Sequence, residues 1–285
     1  MRTVRRPTFG DEPVSRLAAW SGRSAVFALV VAVLSVLILR SGILEIVPAL
    51  ATFAAALVFA ALAVLLALAS FVVIWRQGLS GLGSACLGLF LGLTMLAYPG
   101  YLGYRASKLP SISDITTDPA NPPRFDALAR LRPRDRTAYP GAATAERQRA
   151  AYPDIVPLQL NEPPRTAYDV ALTLITKRKW QVVDQRAPTL ARREGIIEAV
   201  ARTAIMGFRD DVVIRVSPLG QGSRVDMRSA SRFGLHDFGA NAARVRSLLE
   251  DIDDAAGSAP EPRPEPEKPA KKGAPAKKGA SDKKR

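Results

Sequence analysis

The sequence predicts an α-helical transmembrane region of three helices, followed by an α+β two-layer domain with an antiparallel sheet and two helices. Residues 24–104 are almost uncharged and rich in Ala, Leu, Val, Phe and Gly, as helices that cross a bilayer require. After residue 180, apolar and polar side chains alternate in short runs between polar turns, which is typical of half-buried strands. Two segments with apolar residues at helical spacing flank these runs, and a meander with one buried face packs such helices as a second layer.

Three charged residues divide the apolar block. Arg40, Glu45 and Arg76 separate runs of about 20 or more mostly apolar residues, which is the length needed to cross a bilayer. The second run is long enough to cross with some tilt. A buried soluble core is the alternative interpretation, and three such runs in succession argue against it. The predicted spans are residues 20–39, 49–74 and 82–104.

A basic leader at residues 1–23 precedes the first span and sets the predicted orientation. It contains five arginines against one aspartate and one glutamate, and positively charged flanks are retained in the cytoplasm. Three crossings then place the C-terminal domain in the periplasm. The predicted location is therefore a bacterial inner membrane, with multiple crossings and a cytoplasmic N-terminus. If one span were re-entrant, the domain would lie in the cytoplasm instead.

The soluble domain is predicted to cover residues 105–256 and to begin with a proline-rich arm. Ten prolines between residues 108 and 164 disfavour long helices and favour extended surface backbone. Residues 111–117 are predicted as a short strand, and residues 134–150 fit a disordered linker best. Residues 257–285 are rich in Lys, Pro and Ala, so they are predicted to be a disordered basic tail.

Two helices and a four-stranded meander follow the arm. Asn161 and the two prolines after Glu162 predict a helix start, and an apolar stripe continues this helix to Lys179. The last helix, at residues 237–255, repeats apolar residues three and four positions apart. Between the helices, alternation predicts strands at residues 180–184, 196–205, 211–217 and 223–233.

The charge balance indicates the kind of partner, and the residue inventory limits the chemistry. The chain carries 40 basic and 26 acidic residues and a net charge of +14, which favours anionic partners. Membrane lipids, an anionic envelope ligand or another membrane protein are the predicted partners, and nucleic acid is expected only if the domain is cytoplasmic. Cys86 is the single cysteine and His236 the single histidine, so the sequence predicts no disulfide, no Cys/His metal site and no cofactor.

The candidate site lies between residues 228 and 244, where a strand ends and the last helix begins. Ser229 and Ser231 fall on the core face of the strand, where a hydroxyl needs a hydrogen-bond partner. Arg228 and Arg232 fall on the other face. Two interpretations remain open: a solvated face with cross-strand ion pairs, or an anion site assembled with the helix N-terminus. Asp237 is predicted to cap that helix. The predicted ligand-binding residues are Arg228, Ser229, Ser231, Arg232, Asn241 and Arg244.

The same stretch resembles a known family. The pattern Arg-Ser-x-Ser-Arg-x-Gly-x-x-Asp-x-Gly-x-Asn-x-x-Arg, fulfilled from Arg228 through Arg244, is similar to the hallmark of the domain of unknown function 1499 family. Residues 114–119 and 122–125 are similar to the N-terminal segment of that family. The resemblance covers about residues 112–252 and excludes the membrane spans and the tail. It implies a domain boundary and a motif-bearing stretch, in a family of bacteria and plastids, and it implies no activity.

Three functions remain open, and the sequence favours the first. The leading hypothesis is a membrane-anchored domain that binds an anionic envelope component without catalysis. The first alternative is a hydrolase-like enzyme centred on Ser231 and His236, although a histidine rarely takes its orienting aspartate from the next residue of the chain. The second alternative is a structural subunit of a membrane complex, docked through the small residues Ser84, Gly88 and Gly92 of the third span.

Overall fold

The computed structural model describes residues 13–43, 45–132 and 136–257. Within these ranges the chain forms an N-terminal bundle of three long helices and a C-terminal domain built on one six-stranded sheet. The predicted basic leader falls partly outside the described residues, and the predicted disordered tail falls almost wholly outside them.

Each predicted span is a long helix: α1 at Arg16–Ser41, α2 at Ile46–Gln77 and α3 at Leu82–Lys108. All three are long and apolar enough to cross a membrane, with 26, 32 and 27 residues. The hydrocarbon core requires a helix of only about 20 residues. Each helix extends a few residues beyond the predicted span at one end or at both ends. Gly42 and Gly78 end the first two helices with φ of 72° and 65°, a left-handed conformation that glycine adopts without strain.

Small side chains form the contact surfaces between the three helices. The buried positions of α1 and α2 are alanines, serines and one glycine, which allow helix backbones to approach closely. A Cβ atom added to Gly88 would lie 1.9 Å from Ser21 Oγ, and one added to Gly92 would lie 2.9 Å from the carbonyl oxygen of Ala60. Larger apolar side chains such as Phe90, which is 68% exposed, point outward, where a bilayer would cover them.

The stripe of small residues on α3 faces the other helices of the bundle. Gly88 and Gly92 lie against α1 and α2, and the carbonyl oxygen of Ser84 would lie 3.3 Å from a Cβ atom at Gly22. The stripe is therefore occupied within the chain, and it is not free to dock another membrane protein as the second alternative requires.

The C-terminal domain contains six strands and three α-helices within the described residues. The strands are β1 Asp114–Thr116, β2 Leu158–Leu160, β3 Gln181–Arg186, β4 Gly195–Arg202, β5 Arg209–Leu219 and β6 Gly222–Ser231. The helices are α4 Ala142–Ala151, α5 Pro164–Lys177 and α6 Ala240–Gly257, and a short 3-10 helix spans Leu128–Leu131.

The described strands pair antiparallel in one sheet. Strands β3, β4, β5 and β6 form the predicted meander, in which each strand pairs with the next. Both β1 and β2 pair with the outer edge of β6, β1 along residues 228–230 and β2 along residues 223–225. The sequence predicts only one strand in the arm. It misses β2, because a strand of three residues has too few positions to show alternation.

One face of the sheet packs on α5 and α6 and forms the main core. Ile197, Ile214 and Met227, from three neighbouring strands, lie in one buried cluster with Leu248 and Ile252 of α6. This arrangement confirms the predicted α+β architecture, in which two helices cover an antiparallel sheet.

The proline-rich arm covers the other face, so that face is not the solvated surface that one interpretation predicts. Phe125 and Leu128 of the arm pack with Val200 and Val213 of the sheet. Glu198 is fully buried, and its carboxylate accepts hydrogen bonds of 2.8–3.1 Å from three consecutive backbone amides at the start of the 3-10 helix. These donors satisfy the carboxylate away from water, and they fasten the arm to the sheet.

A helix replaces much of the linker predicted at residues 134–150. Helix α4, Ala142–Ala151, occupies an interval without proline. Its anchor is polar, since the buried Gln148 donates to the carbonyl oxygen of Thr116 at 2.6 Å and accepts from the amide of the same residue at 3.1 Å. The helix lacks an apolar stripe, so its sequence does not carry the periodic signal on which the prediction depends. Residues 133–135 lie outside the described ranges.

The C-terminal domain sits on the ends of α1 and α3. Arg40, in the last turn of α1, donates to two backbone carbonyls of the β4–β5 turn at 2.6 and 3.0 Å. A Cβ atom on Gly239 would lie 2.8 Å from Arg105 Nη2 of α3. We call the end of the domain that carries residues 203–209 and 232–239 the helix-proximal end.

Gly88→Ala should push α1 away from α3 and destabilise the bundle by about 1–3 kcal/mol, the usual cost of overpacking. The added Cβ atom would lie 2.9 Å from the backbone carbonyl carbon of Ser21, which moves only if the helix moves. Thermal unfolding of the full chain in detergent, followed by circular dichroism, measures the effect. Gly100→Ala is the matched control, since nothing lies within 4 Å of its added Cβ atom. Equal melting temperatures for the two variants would contradict the close approach.

Candidate functional site

Arg228, the first residue of the predicted site, lies between the sheet and the arm. Its side chain is 1% exposed, and its guanidinium donates two hydrogen bonds of 2.9 and 2.7 Å to Asp114 of β1. The ring centroids of Phe125 and Tyr139 lie 4.5 and 5.7 Å from its Cζ atom. Burial, with the nearby Asp114 carboxylate, raises the pKa of Tyr139 to about 12, so the phenol stays neutral beside the ion pair. Arg228 therefore joins the arm to the sheet and is closed to a ligand.

A hydrogen-bond network joins the core face of β6 to the first turn of α6. Asn241 accepts from Ser229 Oγ at 2.7 Å and donates to Ser231 Oγ at 2.9 Å. Arg244 donates to Ser229 Oγ at 2.9 Å and to Asp210 Oδ2 at 2.5 Å. The Arg244–Asp210 pair is nearly enclosed, with side-chain exposures of 10% and 3%. The two serines on the core face thus find their partners inside the domain.

Arg232 pairs with Asp211, which also binds an arginine of the arm. Arg232 Nη2 lies 2.7 Å from Asp211 Oδ1, and Arg132 Nη1 lies 2.7 Å from Asp211 Oδ2. Arg132 donates further to the carbonyl oxygens of Ala230 and Ser231. The carboxylate is fully buried, and two cations together offset the cost of its desolvation.

Asp237 caps the N-terminus of α6, and its partners are backbone amides rather than an arginine. Its Oδ1 accepts from the amide of Gly239 at 2.9 Å, and its Oδ2 accepts from the amide of Asn241 at 2.8 Å. Burial raises the pKa of Asp237 above its usual value, although the two amide bonds oppose the shift. Arg246, whose place near the start of a helix opposes the helix dipole, instead forms an ion pair with Asp154 of the arm.

Ser231 Oγ and His236 Nδ1 each bind another group, and the buried His236 Nε2 has no hydrogen-bond partner among the described residues. Ser231 Oγ accepts from Asn241, and His236 Nδ1 accepts from the amide of Phe238 at 2.8 Å. A nucleophile and its general base must lie within hydrogen-bond reach, and no such bond joins these two among the described side chains. Nor does that part of the chain contain a group of three or more His, Cys, Asp and Glu residues that could hold a metal ion.

The six residues predicted to bind a ligand are divided between the two faces of the sheet, with Arg228 and Arg232 on the arm-covered face and the other four on the core face. Each is engaged inside the domain. The three arginines hold three aspartates, and the serines and Asn241 bind one another. An incoming anion would have to break buried ion pairs, which leaves an uncompensated charge. Two surface depressions lie elsewhere, one between the C-terminal ends of α5 and α6 and one at the β5–β6 turn.

A row of three arginines at the helix-proximal end is a feature that the sequence does not single out. Arg202 of β4 lies directly opposite Arg209 of β5, and the amide of Arg232 donates to the carbonyl oxygen of Arg209 at 3.2 Å. All three fall on the arm-covered face, because side chains two or four positions along a strand share one face. We call these residues the arginine row. Only the strand register makes them neighbours.

Two members of the arginine row have no carboxylate partner within the described residues. Arg202 and Arg209 are exposed, and none of the ion pairs found between described side chains includes them. Arg136 donates to the carbonyl oxygen of Arg232 at 3.4 Å, and Arg40 donates to backbone carbonyls of the adjacent turn. The helix-proximal end therefore carries an excess of positive charge.

Apolar side chains accompany the arginine row. The rings of Phe208 and Phe233 stack with centroids 6.0 Å apart. Phe233 is 39% exposed, Ile205 45% and Leu235 73%. We call these four residues the turn patch. They lie on the two loops that contact the ends of α1 and α3.

Comparison with known proteins agrees with the motif resemblance. A family model described as "Protein of unknown function (DUF1499)" matches residues 114–252. Residues 114–252 are a domain of this family. The match begins at β1 and ends within α6. The two motif segments of the DUF1499 domain, which begin at Asp114 and at Arg228, are joined by the ion pair between these two residues. The three long helices lie outside the match.

No curated protein matches the sequence. Among solved structures, "Crystal structure of Ara h 8.0201" is 11% identical, with a TM-score of 0.23 over 36% of this chain and 95% of that one. The crystal structure of CalU16 from Micromonospora echinospora is 10% identical, with a TM-score of 0.18 over 36% of this chain and 83% of that one. Scores this low support no conclusion about fold or function.

Arg228→Ala should destabilise the DUF1499 domain by about 3–5 kcal/mol, because it leaves Asp114 buried without its cation. Urea unfolding of the full chain in detergent, followed by circular dichroism, measures the loss. Arg165→Ala is the control, since its pair with Asp169 has side-chain exposures of 63% and 52%. An exposed pair at this helical spacing contributes about 0.3–0.5 kcal/mol. Similar losses in both variants would show that the Arg228 pair is not a support of the fold.

Proposed function

We propose that this protein is a non-catalytic membrane protein whose DUF1499 domain binds a phosphate-bearing anionic component of the cell envelope through the arginine row. The observation that carries the proposal is the pairing of Arg202 with Arg209 across two strands, without a carboxylate partner for either among the described residues. Like charges opposite each other destabilise a sheet. An anion held between them offsets that cost.

The chemistry of the arginine row suits phosphate. A guanidinium group presents parallel N–H donors that bind two phosphate oxygens at once. Arg202 and Arg209 present two such groups at one edge of one face, beside Arg232, whose guanidinium is held by Asp211. The nearest buried carboxylates, Asp210 and Asp211, are each neutralised by arginines. They therefore leave the positive field of the row largely uncancelled.

We also propose a bacterial inner membrane, with the N-terminus in the cytoplasm and the DUF1499 domain in the periplasm. Arg16, which begins α1, and Arg76, in the last turn of α2, lie on the side of the bundle away from the domain. The leader carries four further arginines in the sequence, at positions 2, 5, 6 and 23. The domain side carries Arg40, Arg105 and Lys108 at the helix ends. The larger positive charge favours retention of the leader side in the cytoplasm.

The rival functions have less support. A hydrolase needs Ser231 and His236 in contact, and each binds another group instead. A structural subunit that docks through the small residues of α3 needs a free stripe, and that stripe packs within the bundle.

The double variant Arg202→Gln/Arg209→Gln should bind tripolyphosphate, a soluble phosphate-bearing polyanion, about 30-fold more weakly, since each charge contributes about 1 kcal/mol. Isothermal titration calorimetry on the full chain in uncharged detergent measures the change. The melting temperature should not fall, because the substitutions remove a like-charge contact. Binding equal to that of the unaltered chain would refute a site at the row.

Arg192→Gln/Arg193→Gln is the matched control. It removes the same charge from the exposed loop before β4. Gly195 at the start of β4 pairs with Val216, at the other end of the sheet from Arg202. This variant should therefore bind tripolyphosphate nearly as well as the unaltered chain. If tripolyphosphate binding weakened equally in both double variants, the effect would depend on net charge alone. That result would contradict a local site at the arginine row.

Reporter fusions after residue 285 test the orientation. Alkaline phosphatase should be active, because it folds only in the oxidising periplasm, and a fluorescent protein that matures only in the cytoplasm should stay dark. The opposite pattern would show that the domain lies in the cytoplasm. It would therefore exclude an envelope ligand on the periplasmic side.

A further inference from the structure

We infer that the turn patch enters the interfacial layer of the bilayer that α1, α2 and α3 cross, and that it sets the arginine row against the phosphates of anionic phospholipids. The inference rests on the proposed function and deepens it, since it names the source of the anion. That source is the headgroup layer of the membrane in which the protein is anchored.

The helix ends define where the headgroup layer lies. Because successive crossings alternate in direction, α1 ends and α3 ends at the same surface of the bilayer. Tyr101 and Tyr104, in the last two turns of α3, are 53% and 64% exposed, as an interfacial aromatic belt is. The Arg105 guanidinium lies 5.9 Å from the Tyr101 ring centroid. The headgroup layer therefore lies at the last turns of α3.

The turn patch is held directly beside these helix ends. Arg40 Nη1 of α1 donates to the carbonyl oxygen of Ile205 at 3.0 Å. Ser111, three residues beyond α3, donates from its Oγ to the carbonyl oxygen of Leu235 at 3.4 Å. Both backbones are thus fastened at the headgroup layer, while the side chains of Ile205 and Leu235 remain 45% and 73% exposed. Ile43, next to the end of α1, is 83% exposed and extends the same apolar surface.

A lipid surface is the partner that fits this arrangement. Apolar side chains insert at the boundary between headgroups and acyl chains, and arginines beside them bind the phosphates of anionic lipids. The turn patch supplies the apolar side chains, and the arginine row supplies the charge on the neighbouring strand ends. Because this end of the domain rests on the bundle, the bilayer around the helices lies beside it without any further binding step.

A fluorophore at Leu235 tests the depth of the turn patch. The full chain with Cys86→Ala and Leu235→Cys is labelled with NBD and reconstituted in phosphatidylcholine nanodiscs with and without phosphatidylglycerol. Some of the lipid carries a spin label near the glycerol end of its acyl chain. We expect loss of most of the NBD emission in the presence of the spin label, and a blue shift of the remainder. The exposed position of Leu235 makes the substitution compatible with folding, and the melting temperature verifies this.

Leu219→Cys, in the same Cys86→Ala background, is the matched control. Leu219 is 44% exposed at the far end of β5, and a strand rises about 3.3 Å per residue. The label there lies roughly 30 Å from Arg209 and should keep its emission. Three results together support the inference. Quenching is stronger at residue 235 than at residue 219, it increases when phosphatidylglycerol is present, and it decreases in the Arg202→Gln/Arg209→Gln variant.

Two results would overturn it, and they separate it from the proposed function. Equal emission at residues 235 and 219 would show that the turn patch stays in water. The arginine row would then be a site for a soluble anion if tripolyphosphate binding still depends on Arg202 and Arg209. Quenching at residue 235 that ignores both phosphatidylglycerol and the arginine substitutions would show apolar contact without headgroup recognition. That result would overturn the assignment of lipid phosphate to the row.

Discussion

The ion pair between Arg228 and Asp114 is the interaction on which the rest of the DUF1499 domain depends. It lies between β6 and β1, under the ring of Phe125, so it ties the start of the proline-rich arm to the last strand of the sheet. An unpaired charge there would be costly, and the arm cannot leave without exposing one. The pair explains why the arm-covered face of the sheet, which carries many charged residues in the sequence, forms a second buried core.

Buried carboxylates determine where the other arginines go. Asp226, 1% exposed, binds Arg215 and Arg224, and Asp210 and Asp211 are neutralised in the same way. Each acid needs a cation once water is removed from it, so these arginines serve the fold. The charge that distinguishes the surface belongs to arginines that have no carboxylate partner among the described residues. At the helix-proximal end two of these, Arg202 and Arg209, face each other across neighbouring strands.

The contacts between the helices and the domain fix the position of the arginine row relative to the helix ends. Hydrogen bonds from Arg40 and Ser111 hold the two loops of the turn patch at the ends of α1 and α3. A domain on a flexible tether would sample many orientations, whereas these contacts keep one end of the sheet against the ends of α1 and α3. In the arrangement we propose, the exposed apolar side chains and the positive charge of this end lie at the level of the lipid phosphates. We therefore propose that the three helices and the arginine row act together in binding the membrane.

The sequence by itself determined the three long helices, the four-stranded meander and the helices α5 and α6. Run length and local periodicity encode those elements. It also singled out residues 228–244, whose predicted ligand-binding side chains the structure divides between the two faces of the sheet. Only the tertiary structure decided what they contact, and it assigned Arg228 to Asp114, 114 residues away. It also decided that Arg202 and Arg209 face each other, and that the polar anchor Gln148 supports α4. The physical reason is that partners across a sheet follow from register and chain path, and neither leaves a periodic trace in the sequence.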